Sequence, residues 1–133
     1  MPPSLEAAAG RAIAAIVDAA RAANFVVAIA VVDAHGDLVA AHRMDGARPR
    51  WMRASLRKAY SAAVMDRDTS AFHEEIVARQ LQIAYYGDPM LTALPGGIVV
   101  AEGGATLAGI GVTGPTKGRD EELARAGARS FST

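Results

Sequence analysis

Cysteine is absent from the 133 residues, which excludes disulfides, thiolate metal sites and cysteine nucleophiles. Aromatic residues make up only 5%, so there are few platforms on which nucleic-acid bases could stack. Neither sign of charge is in excess: 14 Lys and Arg balance 14 Asp and Glu, and no global field draws the chain to DNA or to an acidic membrane. No apolar run approaches the roughly 20 residues of a membrane span. The N-terminal stretch is broken by Glu6, Arg11 and Asp18 and lacks the basic start and unbroken apolar block of a signal peptide, so a cytoplasmic location is expected.

What is present is ordinary in amount and unusual in kind. Hydrophobic residues are 51% and charged residues 21%, as in a globular protein, but 30 residues are alanine, which favours helix and close packing of elements. The length fits one domain over 1–133. Ser4 can cap an amphipathic helix running to about Asn24. Residues 26–32 (VVAIAVV) read as a strand buried on both faces, and the turn at Ala34-His35-Gly36-Asp37 folds it back on a second strand over 38–44. Helices are expected over 51–65 and, capped by Asp68 or Thr69, over 70–83. A second hairpin, 98–102 with 106–112, turns at Gly103-Gly104, and a last helix begins at Asp120 with acidic residues at its positive end. The order is αββααββα in an α+β protein.

Several stretches together resemble the GlcG/HbpS family, which includes the haem-binding protein HbpS and the C-terminal domain of PduO-type corrinoid adenosyltransferases. They are Val31-Val32-Asp33 with the Gly36 turn, Arg43-Met44-Asp45-Gly46, Lys58-Ala59-Tyr60-Ser61-Ala62, Pro95-Gly96-Gly97, Gly109-Ile110-Gly111-Val112-Thr113-Gly114, and Asp120 followed by Ala124-Arg125-Ala126-Gly127. The resemblance implies a profilin-like fold, with an antiparallel sheet of about five strands flanked by helices, and assembly into homodimers or larger oligomers. Pattern reading finds four strands; the fifth would lie in 47–50 or 91–94.

The strongest local charge feature is the segment 43–58, where Arg43, Arg48, Arg50, Arg53, Arg57 and Lys58 face Asp45 alone. Guanidinium groups grip carboxylates in bidentate fashion, so such a cluster can hold haem propionates or a small dicarboxylate. The competing reading is a solvated helix face paired with Asp66, Asp68, Glu74 or Glu75. His42, beside Arg43 and Asp45, is the candidate haem ligand or general base; His35 sits in a turn and His73 beside Glu74 and Glu75. No histidine pair has helical zinc-site spacing, and no dedicated metal site is expected. The glycines of 109–114 match a dinucleotide fingerprint in spelling only, because they fall inside a strand, where they permit close approach of backbone or ligand.

These readings converge on a module binding a small anionic ligand, haem or another tetrapyrrole-like molecule, through His42, Arg43, Asp45, Arg50, Arg53 and Lys58. The alternative from the enzyme class is a cofactor-independent lactonase or tautomerase acting on a carboxylate-bearing intermediate of aromatic catabolism, with His42 or Asp45 as base. A third is a structural or regulatory domain without a ligand. The partners expected are the anionic small molecule and a further copy of the chain, with neither nucleic acid nor membrane.

Overall fold

The computed structural model describes residues 4–115 and 119–131. In chain order it forms α1 (Leu5–Ala22), β1 (Ala28–Asp33), β2 (Leu38–Arg43), α2 (Pro49–Val64), α3 (Thr69–Ala78), a 3-10 turn (Ile83–Tyr86), β3 (Gly97–Glu102), β4 (Ala105–Thr113) and α4 (Asp120–Arg129). The strands make one antiparallel sheet in the order β2-β1-β4-β3. The α+β order read from the sequence is the order found. A fifth strand is not present among the described residues: 47–50 turns into α2, and 91–94 is irregular chain.

β1 is central because five of its six residues are apolar and can be buried on both faces. Its alternate side chains serve two layers. Ile29 and Val31 join Ile98, Ile110 and Val112 beneath α1 and α4, where Ile16 and Leu123 close the main core. Each Val or Ile fully withdrawn from water there contributes about 1.5–3 kcal/mol. Ala30 and Val32 face α2 and meet only Ala59, Ala63 and Leu56. This second layer is thin because glycine permits backbone-to-backbone packing. A Cβ on Gly111 would run into the Ser55 carbonyl, one on Gly109 into that of Ala59, and one on Gly97 into that of Lys58. The glycines of the apparent dinucleotide motif are therefore a seat for α2.

Both hairpins form where glycine takes positive φ. At Gly36, φ is +87°, and a side chain would meet the Tyr60 ring at 2.6 Å. The third helix ends five residues earlier than its pattern predicts. Gln80 takes a left-handed φ of 54°, while the Leu81 N–H bonds the Ile76 carbonyl and the Gln80 N–H that of Val77. This is a Schellman stop built without glycine. Asn24 and Asp66 end α1 and α2 in the same way, with φ of 61° and 55°. Among the described residues no helix is long and apolar enough to cross a membrane.

Candidate functional site

The topology gives the sheet two unlike ends. Ala28 at the start of β1 pairs with Arg43 at the end of β2 and with Thr113 at the end of β4. At this end α1 finishes, and α2 and α4 begin. It therefore gathers Arg21, Arg43, Arg48, Arg50, Arg53 and Arg119 from distant parts of the chain. The hairpin turns at Gly36 and Gly103-Gly104 occupy the other end.

Within the arginine-rich end lies an open depression of about 350 Å³, lined by Arg21, Asn24, Phe25, Val26, Met44 and Asp45. Phe25, Val26 and Met44 supply its apolar lining; Met44 is buried and its Sδ accepts from the Val27 N–H at 3.4 Å. The Arg119 guanidinium stands over the Phe25 ring, 5.6 Å from its centroid. Sequence reasoning missed Arg21 and Phe25; it offered Arg119 only as the end of a 115–119 loop that could hold an anion weakly, and 116–118 of that loop lie outside the described residues. Arg21, Phe25 and Arg119 carry no shared motif, and only the meeting of the end of α1 with the start of α4 brings them together.

The expected site residues are only partly brought together. Asp45 lines the depression and is exposed. His42 is exposed on the edge strand opposite Ile29, hence on the α1 face, while Arg43 is opposite Ala28 on the α2 face. Neighbours in sequence thus point to opposite sides of the sheet. The Arg43 guanidinium donates to the Ala47 carbonyl at 3.2 Å and braces the turn into α2. Arg48, Arg50 and Arg53 are exposed and have no protein partner among the described residues. Of the four acids that could have neutralised them, three are engaged elsewhere, and Glu74 is exposed without a partner among the described residues. Asp68 binds Arg125 at 3.0 Å and the Val99 N–H, Glu75 binds Arg67 and Arg79, and Asp66 accepts from Thr106.

Lys58 leaves the surface cluster altogether. It is 3% exposed, and its ammonium donates to the Val112 carbonyl at 2.9 Å and to Asp120 Oδ2 at 3.1 Å. Burial lowers the Lys58 pKa, an effect that the Asp120 charge opposes. Burial likewise raises that of Asp120, against the pull of Lys58 and of the Gly114 N–H. Beside this pair, Ser55 Oγ donates to the Ala28 carbonyl at 2.8 Å and lies 2.9 Å from Thr113 Oγ1. The result is a polar seam sewing α2 and the start of α4 to the end of β4. Arg57 is also structural: it donates to the carbonyls of Pro89 at 2.6 Å and Leu91 at 3.4 Å. His35 and His73 are exposed, and among the described residues no three His, Asp or Glu converge as metal ligands.

The profile of the family described as haem degrading protein HbpS-like matches residues 5–129. This chain belongs to the HbpS-like family. Protein GlcG of Escherichia coli K12 is 36% identical over 101 residues, 76% of this chain and 74% of that protein. A double mutant of Streptomyces reticuli HbpS superimposes with a TM-score of 0.88 at 34% identity, over 100% of this chain and 90% of that one. The structure of a PduOC–haem complex shares the fold, with a TM-score of 0.86 at 20% identity over 98% and 95% of the two chains. The family resemblance carried by the hairpin, glycine and Lys58 motifs is thereby established.

Proposed function

We propose that this HbpS-like protein binds haem, or another anionic tetrapyrrole-like molecule, at the arginine-rich end of its sheet. The observation that carries the reading is the set of exposed arginines, Arg48, Arg50 and Arg53, left without protein partners at the same end of the sheet as a partly apolar depression lined by Arg21, Phe25, Val26 and Met44. Keeping like charges adjacent and unpaired disfavours the free protein, and an anion removes that penalty. Membership in a family described by haem degradation gives the anion its chemical class.

The residues present fit such a group. Arg50 and Arg53, with Arg43 where it can exchange its bond to the Ala47 carbonyl, would hold carboxylates. Phe25, Val26 and Met44 would take part of an apolar face, and Arg21 and Asp45 would border it. His42 offers an imidazole on the α1 face, the side on which the buried Met44 lies. Bound haem would supply a coordination site at iron; the chain itself binds, orients and shields. Lys58 has a different part in this reading, holding the start of α4 and with it Arg119.

Absorption titration with haem tests the proposal. Arg43→Gln and Arg53→Gln should each weaken binding about 5- to 100-fold, the worth of one charge-assisted contact, with folding retained. His42→Ala should change the Soret band if the imidazole ligates. No Soret change in the wild type, combined with turnover of an unsaturated lactone that His42→Ala or Asp45→Asn abolishes, would overturn the reading in favour of an enzyme.

A further inference from the structure

Every polar side chain that lines the depression at the end of α1 lacks a protein partner. Arg21, Asn24 and Asp45 are exposed there, and none makes a side-chain hydrogen bond or ion pair among the described residues, with one another or elsewhere. The acids around α3 and α4 show the contrast: Glu75, Asp68 and Glu121 are each paired with an arginine. Asp45 stands at the arginine-rich end of the sheet and pairs with none of those arginines. A depression built for anions alone has no use for a carboxylate, which repels them.

The apolar walls are set before any ligand arrives. Met44 is held by the Val27 N–H on its Sδ, the Arg119 guanidinium covers the Phe25 ring, and half-buried Phe25 and Val26 pack on the main core. The turn that sets Arg21 beside Asn24 is equally determined. Asn24 takes its left-handed φ of 61°, its N–H bonds the Arg21 carbonyl, and the Phe25 N–H returns to the Ala20 carbonyl. Walls already in place cost little ordering entropy when a ligand binds. The volume of about 350 Å³ lies at the small end of ligand pockets, room for one ring or branched chain with its polar end, or for one edge of something larger.

We infer that this depression binds a small zwitterion, a free amino acid with an apolar side chain. Its carboxylate meets Arg21, its ammonium meets Asp45, and its side chain lies against Phe25, Val26 and Met44. Opposite charges on one lining select a dipolar molecule, because each end of the ligand finds its complement, whereas a simple anion or cation leaves one protein group facing a like charge. Asn24 offers both donor and acceptor and can serve either end. The inference goes beyond the haem reading: its polar contacts are Arg21, Asn24 and Asp45, and it leaves Arg48, Arg50 and Arg53 to the larger anion. The two ligands share Phe25, Val26 and Met44, so they compete.

Proton–nitrogen correlation spectra of the full chain, titrated with L-phenylalanine, should show saturating shifts centred on 21–26 and 44–45. Phenylpropionate, which lacks the ammonium, and phenethylamine, which lacks the carboxylate, should each bind about fivefold or more weakly, one charge-assisted contact being lost. Asp45→Asn should abolish the preference over phenylpropionate, and Arg21→Gln that over phenethylamine; both positions are exposed, so folding is retained. Phenylalanine that moves none of these resonances at about 10 mM overturns the inference. So do equal affinities for the three compounds, or a preference that survives both substitutions. Haem titration at the Soret band separates the two readings: a protein that binds haem and ignores phenylalanine refutes this inference alone, while one that binds phenylalanine and not haem supports it and refutes the haem reading.

Discussion

Replacing Asp120 with alanine isolates what it costs to keep Lys58 inside. The ammonium is 3% exposed and has two acceptors, the Val112 carbonyl and the Asp120 carboxylate. Removing one partner of a buried pair costs about 3–5 kcal/mol, because the remaining charge keeps its desolvation penalty without its compensation. The Asp120 side chain is 15% exposed, so water can enter the vacated space, and the lower end, about 3 kcal/mol, applies. For a domain of this length that is a fall in Tm of about 12 °C. Urea unfolding followed through Trp51, the sole tryptophan and a half-buried residue of the first turn of α2, measures it directly.

The control is the double variant Lys58→Met with Asp120→Ala. It removes both charges and should recover most of the loss, since an apolar replacement of a buried pair is often neutral. The pH dependence has a definite sign. Asp120 is raised above 3.8 in the folded chain, so the native state keeps a proton that the unfolded chain has lost, and stability falls as pH climbs from 3.8 to the raised value. Lys58 is lowered from 10.5, so the unfolded chain holds the extra proton, and stability rises as pH climbs towards 10.5. Asp120→Ala should abolish the acid-side slope due to this group. The reasoning is refuted if Asp120→Ala lies within about 0.5 kcal/mol of wild type, the range of neutral surface changes. It is also refuted if the double variant is as unstable as the single, which would assign the loss to the carboxylate's bond with the Gly114 N–H.

Two further outcomes follow from close contacts. Gly111→Ala should cost about 3 kcal/mol or more, measured in the same urea assay, because its Cβ collides with the Ser55 carbonyl and would stand 2.7 Å from the Ala59 nitrogen, so the whole of α2 must shift. The hydrogen bond to Asp88 raises the Tyr60 pKa above 10.0, so alkaline titration by ultraviolet absorbance should show a late tyrosine that Asp88→Ala returns towards the ordinary value. Asp88 is itself held below 3.8, by the Tyr60 hydroxyl and then by the Met90 N–H. Its contribution is therefore present above 3.8 and lost as pH falls through the lowered value, with cleavage in 77–94 by an acid-active protease as the readout.

Much of the fold was written in short stretches of sequence. The β-branched run at 26–32 could be satisfied only by burial on both sides, and β1 is central. Gly36 and Gly103-Gly104 marked the hairpins because those turns need positive φ at each of them. The capping Ser4 accepts from the Ala7 N–H at 3.2 Å, as its place before the apolar period required. Where helices stopped was less legible. The left-handed ends at Asn24, Asp66 and Gln80 lack the glycine that advertises such a stop, and Gln80 in particular reads as a continuing helix former.

The candidate site was legible as composition and illegible as arrangement. The excess of arginine between 43 and 58 could be counted, and its exposure at Arg48, Arg50 and Arg53 agrees with its charge. That Lys58 would turn inward to Asp120, 62 residues on, could not be counted. Nor could the stacking of Arg119 on Phe25 or the outward-facing side chains of 77–94. Turns, caps and periodicity depend on residues a few positions apart, whose geometry the backbone fixes locally. The partner of a charge and the cover of an apolar side chain depend on which distant elements arrive beside it: the close seating of α2 on Gly109 and Gly111 carries Lys58 to Val112 and Asp120, and the meeting of α1's end with α4's start sets Arg119 over Phe25.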